Sequence, residues 1–153
     1  MLSVDAHSVE EYFDFDLRRT KELRTIDGWI RTAAPTLERW FVPGSPPEKP
    51  GMTMRMIGYG RFSYTVKSSS QPIDWPVIGL TLQKNTMSLY LAAQRNGKPL
   101  AMSFASRLGK VSVGSSGAIS FTRAADFEEN AFRELLIAVS EPTTELRYGR
   151  AGN

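Results

Sequence analysis

At 153 residues the chain has the length of one domain, and its 41% hydrophobic, 23% charged and 10% aromatic residues mark it as globular, not disordered, collagenous or coiled-coil. It has no cysteine and a single histidine, His7, which excludes disulfides, thiolate metal sites, a cysteine nucleophile and a histidine pair for zinc. The net charge of +3 hides a dipolar chain: residues 1–16 carry five acids and no Lys or Arg, residues 41–125 carry ten basic residues against Glu48 and Asp74, and residues 126–153 carry six acids against three arginines.

Ser8-Val9-Glu10-Glu11 reads as a capping box, with Ser8 accepting from the Glu11 amide and Glu11 reaching back to Ser8. A short helix follows through Tyr12, Phe13 and Phe15. A second helix is predicted over residues 20–34, because Leu23, Ile26, Ile30 and Ala33 fall on one stripe. Pro35 then suits the first turn of a further short helix through Leu37, Trp40 and Phe41. Residues 42–51 hold four prolines and two glycines, which forbids regular structure and marks a loop insertion.

Beyond that loop the apolar period changes to two. Met52, Met54 and Met56 alternate with polar residues and read as core packing, and Phe62, Tyr64 and Val66 alternate with Arg61, Ser63, Thr65 and Lys67. Residues 68–72 read as a polar turn, residues 77–84 and 86–94 as two strands, and residues 95–98 as a turn. Residues 99–108 fit a short helix that packs Leu100, Phe104 and Leu108. Short strands are expected over 111–113 and 118–121, around the Gly-Ser-Ser-Gly of 114–117. A last helix starts near Asp126, where Asp126 and Glu129 suggest a second cap, and buries Phe132, Leu135, Leu136 and Val139 ahead of Pro142. Residues 1–142 are thus read as a single α+β domain and 143–153 as a polar, frayed tail. The central segments lack room for helical crossovers. The sheet is therefore expected to be mostly antiparallel, with the N- and C-terminal helices packed on one face.

Four segments carry a resemblance: Val9-Glu10-Glu11-Tyr12-Phe13, the stretch from Ile57 to Tyr64 (IGYGRFSY), Met87-Ser88-Leu89-Tyr90-Leu91, and Leu108 to Gly114 followed by Ala118-Ile119-Ser120-Phe121. In order and spacing they resemble the YdhG-like domain family, which has a frataxin-like layered fold and includes an intracellular iron chaperone. The loop at 42–51 and Asp74-Trp75-Pro76 depart from that pattern. The resemblance implies a two-layer sandwich, an iron-chaperone-like role for carboxylates on the first helix, and an iron-acceptor protein as partner.

Candidate sites follow from placement. His7, Glu10, Glu11 and Asp14 share one helical face, and hard oxygen ligands with an imidazole suit Fe(II) or Mn(II); Glu10, Glu11 and Asp14 are the candidate metal ligands, for iron on the resemblance, in a weak, exposed site. The bland reading is that acids in a first turn answer the helix dipole. If Phe62, Tyr64 and Val66 face the helices, Arg61, Ser63, Thr65 and Lys67 face away, extended by Thr81, Gln83, Ser88 and Tyr90. That basic face, with Tyr59, Arg61, Lys67, Trp75 and Tyr90, is the candidate ligand- or partner-binding surface; Trp75 is expected to line a pocket. The bland reading is a solvated face of good strand formers.

Nucleic acid is not expected, for want of a dense Lys/Arg cluster. Nor is an enzyme. There is no Gly-x-Ser-x-Gly, and the glycines of 109–117 read as a hairpin turn, not a phosphate loop. The longest apolar runs, 89–93 and 135–139, are five residues each, against the ~20 of a membrane span. The acidic opening has no basic stretch of the kind that starts a secretory signal. The expectation is a cytosolic binding module, monomeric or a weak homodimer. It either handles iron through its acidic helix or binds a protein or small ligand through the sheet with no metal role; an enzyme acting on an anionic small molecule is the third alternative.

Overall fold

The computed structural model describes residues 2–45, 53–66 and 69–147. Helix α1 (Val9–Asp14) opens as read: Ser8 is the N-cap and its hydroxyl accepts from the Glu11 amide at 3.1 Å. The return bond differs, since the Glu11 carboxylate accepts from the His7 amide at 3.2 Å and not from Ser8. Helix α2 (Thr20–Ala33) buries Leu23, Ile26 and Ile30 in one stripe, together with Asp27.

The helix predicted through Trp40 and Phe41 is absent. The chain turns after α2 and enters strand β1 (Arg39–Val42), because Trp-Phe-Val is a strand-forming run and its backbone pairs with β2 (Met56–Tyr59). Strands β3 (Phe62–Val66), β4 (Ser69–Trp75), β5 (Ile78–Leu82), β6 (Met87–Leu91), β7 (Ala93–Arg95) and β8 (Lys98–Pro99) follow. A 3₁₀ helix (Leu100–Arg107) occupies the segment read as a short helix. After it come β9 (Ser112–Val113), β10 (Ile119–Phe121), a 3₁₀ turn (Ala124–Asp126), helix α3 (Glu129–Val139) and β11 (Glu145–Leu146). Asp126 does not cap α3. It accepts from the Thr122 and Arg123 amides and closes the 3₁₀ turn, and Glu128 is the N-cap, accepting from the Ala131 amide at 2.7 Å. Residues 114–117 form the β9–β10 hairpin turn, as read. Part of the expected tail is ordered as β11, which pairs with β7.

The fold class is the α+β arrangement expected. A six-stranded sheet runs in the order β1-β2-β5-β6-β10-β9 with every pair antiparallel. Alternation sends Ile57, Ile78, Leu80, Leu82, Leu89 and Ile119 to one face, where they join α1, α2, α3 and the 3₁₀ helix in one hydrophobic cluster. No helix among the described residues is long and apolar enough to cross a membrane.

The β3–β4 segment corrects the sequence reading twice. Residues 68–72 were expected to turn, yet β4 begins at Ser69 and pairs with β3 in a two-stranded sheet of its own. Tyr64 does not face the helices. It packs edge-on against Trp75, ring centres 6.1 Å apart, beside Val42, Met54 and Met56 in a second cluster on the opposite face. The cause is Gly60, at φ 72, which swings the chain off the main sheet between β2 and β3. The stretch from Ile57 to Tyr64 therefore spans two strands of different sheets. Gly58 serves the same face: a Cβ there would stand 2.7 Å from Val42 Cγ2 and 2.9 Å from Trp40 Nε1. Its absence leaves room for the Trp40 indole N–H.

The polar second face is not an open basic surface at its centre. Thr81 and Ser88 are buried cross-strand partners, and the Thr81 hydroxyl donates to the Ser88 carbonyl at 3.3 Å. Met52 and Lys67 lie outside the described residues.

Candidate functional site

Strand β1 is one edge of the main sheet, and a cleft lies on each side of it. Alternation puts Arg39 and Phe41 on the helix side and Trp40 and Val42 on the other.

On the helix side the organising group is the Asp27 carboxylate, 7% exposed in the apolar stripe of α2. It accepts from the Tyr59 hydroxyl at 2.6 Å and from Arg39 Nη1 at 3.1 and 3.2 Å, and Arg31 Nη1 stands 3.7 Å away. A carboxylate buried away from water needs such hydrogen-bond partners. Burial, and next the Asp27 charge, push the Tyr59 phenol well above its ordinary range, so it remains a proton donor. Arg31, Arg39, Thr32, Leu37 and Glu38 line an open cleft of about 650 Å³ beside this cluster.

On the other side the Trp40 indole donates to the Gly60 carbonyl at 2.8 Å, and the Arg61 guanidinium lies 3.8 Å above its ring. Such a contact is worth about 0.5–1 kcal/mol at an exposed position. Arg61 is also 3.8 Å from the Asp74 carboxylate, which accepts from the Ser63 hydroxyl at 3.1 Å. Trp40, Val42, Arg61, Ile73, Asp74 and Trp75 line a cleft of about 450 Å³, open to solvent. Buried Trp75 forms its wall, and Arg61 and Asp74 form its mouth.

The residues singled out in the sequence are dispersed. Arg61 and Trp75 meet in the second cleft, and Trp75 lines a pocket as expected. Tyr59 is on the opposite face, bound to Asp27. Tyr90 is half-buried against the second cluster, where Gln83 Nε2 donates to its hydroxyl at 3.4 Å and burial raises its phenol. Lys67 lies outside the described residues.

The acids of α1 are engaged locally. Arg24 Nη2 sits 2.9 Å from the Glu10 carboxylate and 4.0 Å from that of Asp14, with its guanidinium over the Phe13 ring. Glu11 bonds the His7 amide, and His7 Nε2 stands 3.3 Å from Asp5. Among the described residues no three His, Cys, Asp or Glu side chains gather as a metal site would require. Sequence reading passed over Asp27, although an acid between Leu23 and Ile30 on a buried stripe is a usable signal. Trp40, expected on a short helix, was not among the candidate site residues, although it lines the second cleft.

No family model, curated protein or solved structure matches this chain.

Proposed function

We propose that this protein is a binding module that engages a polypeptide or small ligand through the cleft of Trp40, Arg61, Asp74 and Trp75, with no metal role. One observation carries the reading: Arg61, its side chain 56% exposed, holds its guanidinium 3.8 Å over Trp40 in a cleft that buried Trp75 also lines. A fixed cation above an aromatic wall offers apolar and polar recognition at one point, and Trp and Arg are the residues on which interface energy concentrates. The iron-chaperone reading implied by the YdhG-like resemblance has weaker support, because Glu10 is paired with Arg24, Asp14 stands 4.0 Å from the same guanidinium, and Glu11 is tied to the His7 amide.

The test is NMR of the ¹⁵N-labelled chain against a set of aromatic and aliphatic carboxylates, amines and amides. The expected result is movement of the Trp40 and Trp75 indole N–H signals with that of Trp29, which packs against Phe132 on the helix side, still, and affinity about tenfold lower in Arg61→Ala. Binding that leaves both indoles unmoved, or that is equal in Arg61→Ala, removes the cleft from consideration. Anaerobic calorimetry with Fe(II) supplies the counter-test: heat lost in a Glu10→Gln, Asp14→Asn double variant returns the acidic helix to the lead.

A further inference from the structure

The edge of β1 is chemically prepared for another strand. The Gly60 amide donates to the Glu38 carbonyl at 2.9 Å, and the register pairs Trp40 with Gly58 and Val42 with Met56. In an antiparallel pair the main-chain groups of successive residues point alternately toward and away from the partner. Glu38, Trp40 and Val42 therefore face β2, and Arg39 and Phe41 turn their N–H and C=O outward. Among the described residues no strand pairs with that side, and none bonds to those outward groups.

Natural sheets blunt such edges with charge. Here the one charged residue of β1, Arg39, is folded back onto Asp27 and leaves Trp-Phe-Val along the edge. The opposite edge of the sheet is only the two residues of β9, packed beside the 3₁₀ helix.

The two clefts flank this edge on opposite faces. An added strand would send alternate side chains into each. We propose that β1 accepts an extended polypeptide segment by strand addition, reading apolar side chains on the Trp40–Trp75 side and one acidic side chain on the Arg31 side. This rests on the cleft reading above and names the class of partner.

The acid follows from Arg31. Its side chain is 55% exposed, its carboxylate neighbour Asp27 is 3.7 Å away, and no hydrogen bond from its guanidinium is found among the described residues, so its donors remain for a carboxylate. Glu38 on the same rim disfavours a second acid beside the first.

A second copy of this chain fits less well. In its own β1, Trp40 is bonded to Gly60, Val42 is 4% exposed and Arg39 holds Asp27, so β1 paired with β1 would fill neither cleft.

The probe is a fluorescein-labelled octapeptide that alternates leucine with serine and carries glutamate at one central serine position. Anisotropy with the full chain is expected to show binding that weakens about tenfold when lysine replaces the glutamate. N-methylation of the peptide in one of the two alternating frames is expected to cost at least tenfold, and in the other frame little, because only one frame directs its N–H groups at β1. Phe41→Pro, which removes an outward donor without touching the β1–β2 bonds, is expected to reproduce that loss. Equal sensitivity in both frames overturns strand addition; if the Trp40 and Trp75 indoles still move, the cleft reading survives it. No peptide binding while small carboxylates move the indoles also overturns the inference alone. A concentration-dependent dimer of the wild type that Phe41→Pro abolishes overturns it in favour of a second copy.

Discussion

The two faces of the main sheet are closed by different means. On one, buried large aliphatic side chains from four strands meet three helices and a 3₁₀ helix. On the other, a single two-stranded hairpin covers part of the sheet, several sheet residues are small or polar (Gly58, Gly79, Thr81, Ser88), and the apolar groups include Trp40, Val42 and Met56 of the sheet with Met54 and the Tyr64 and Trp75 rings of the hairpin. The first face makes the fold. The second, with less to bury, retains a cleft lined by Trp40 and Trp75. Recognition chemistry is thus found where hydrophobic closure is incomplete.

That contrast is open to measurement. The largest effect belongs to the helix-covered face: Leu80→Ala, at a fully buried position on a central strand, is expected to cost about 2–5 kcal/mol in urea unfolding. A loss under about 1 kcal/mol would mean the helices do not close that face as tightly as the burial indicates.

Next is alkaline pH. Tyr12 is buried, its hydroxyl donates to the Arg55 carbonyl at 3.2 Å and accepts from the Leu82 amide at 2.8 Å, and burial pushes its phenol up to about 12. The unfolded chain releases this proton first, near pH ~10. The folded state then holds more protons, and rising pH favours unfolding. Stability from this group is full below that point and is lost as pH rises through about 12, at up to ~1.4 kcal/mol per pH unit. Tyr59 acts in the same direction. Unfolding measured from pH 9 to 11 should show the decline, and Tyr12→Phe should flatten it; an unchanged slope in that variant would assign the effect elsewhere.

The third measurement tests the second face. Gly58→Ala places a methyl against Val42 and Trp40 and is expected to cost about 1–3 kcal/mol, with a changed near-ultraviolet circular dichroism from the displaced indole. An unaltered tryptophan signal would show that Trp40 does not depend on the missing Cβ.

Local features were legible because their causes are local. The Ser8 cap and the stripe of α2 depend on neighbours within a few residues, and the change to period two after the loop sufficed to place β5, β6 and β10. The errors arose where two local signals competed or where the decisive partner was remote. Pro35 argued for a helix through Trp40, and pairing with β2 overrode it. The alternation of β3 was read correctly as a strand and assigned to the wrong sheet, since a period of two says nothing about which face a hairpin covers. Of the candidate site, Arg61 and Trp75 were identified without the contact that joins them through Trp40.

The order of residues by itself determined an α+β chain with a capped first helix, an amphipathic second helix, a run of antiparallel strands and a closing helix. Each of these is written in side-chain period, caps and breakers. Tertiary structure alone decided that Asp27 would hold Tyr59 and Arg39 from 32 and 12 residues away, and that Gly60 would turn a hairpin onto the far face. Such choices depend on which distant surfaces fill each other's space, and no window along the chain contains that information.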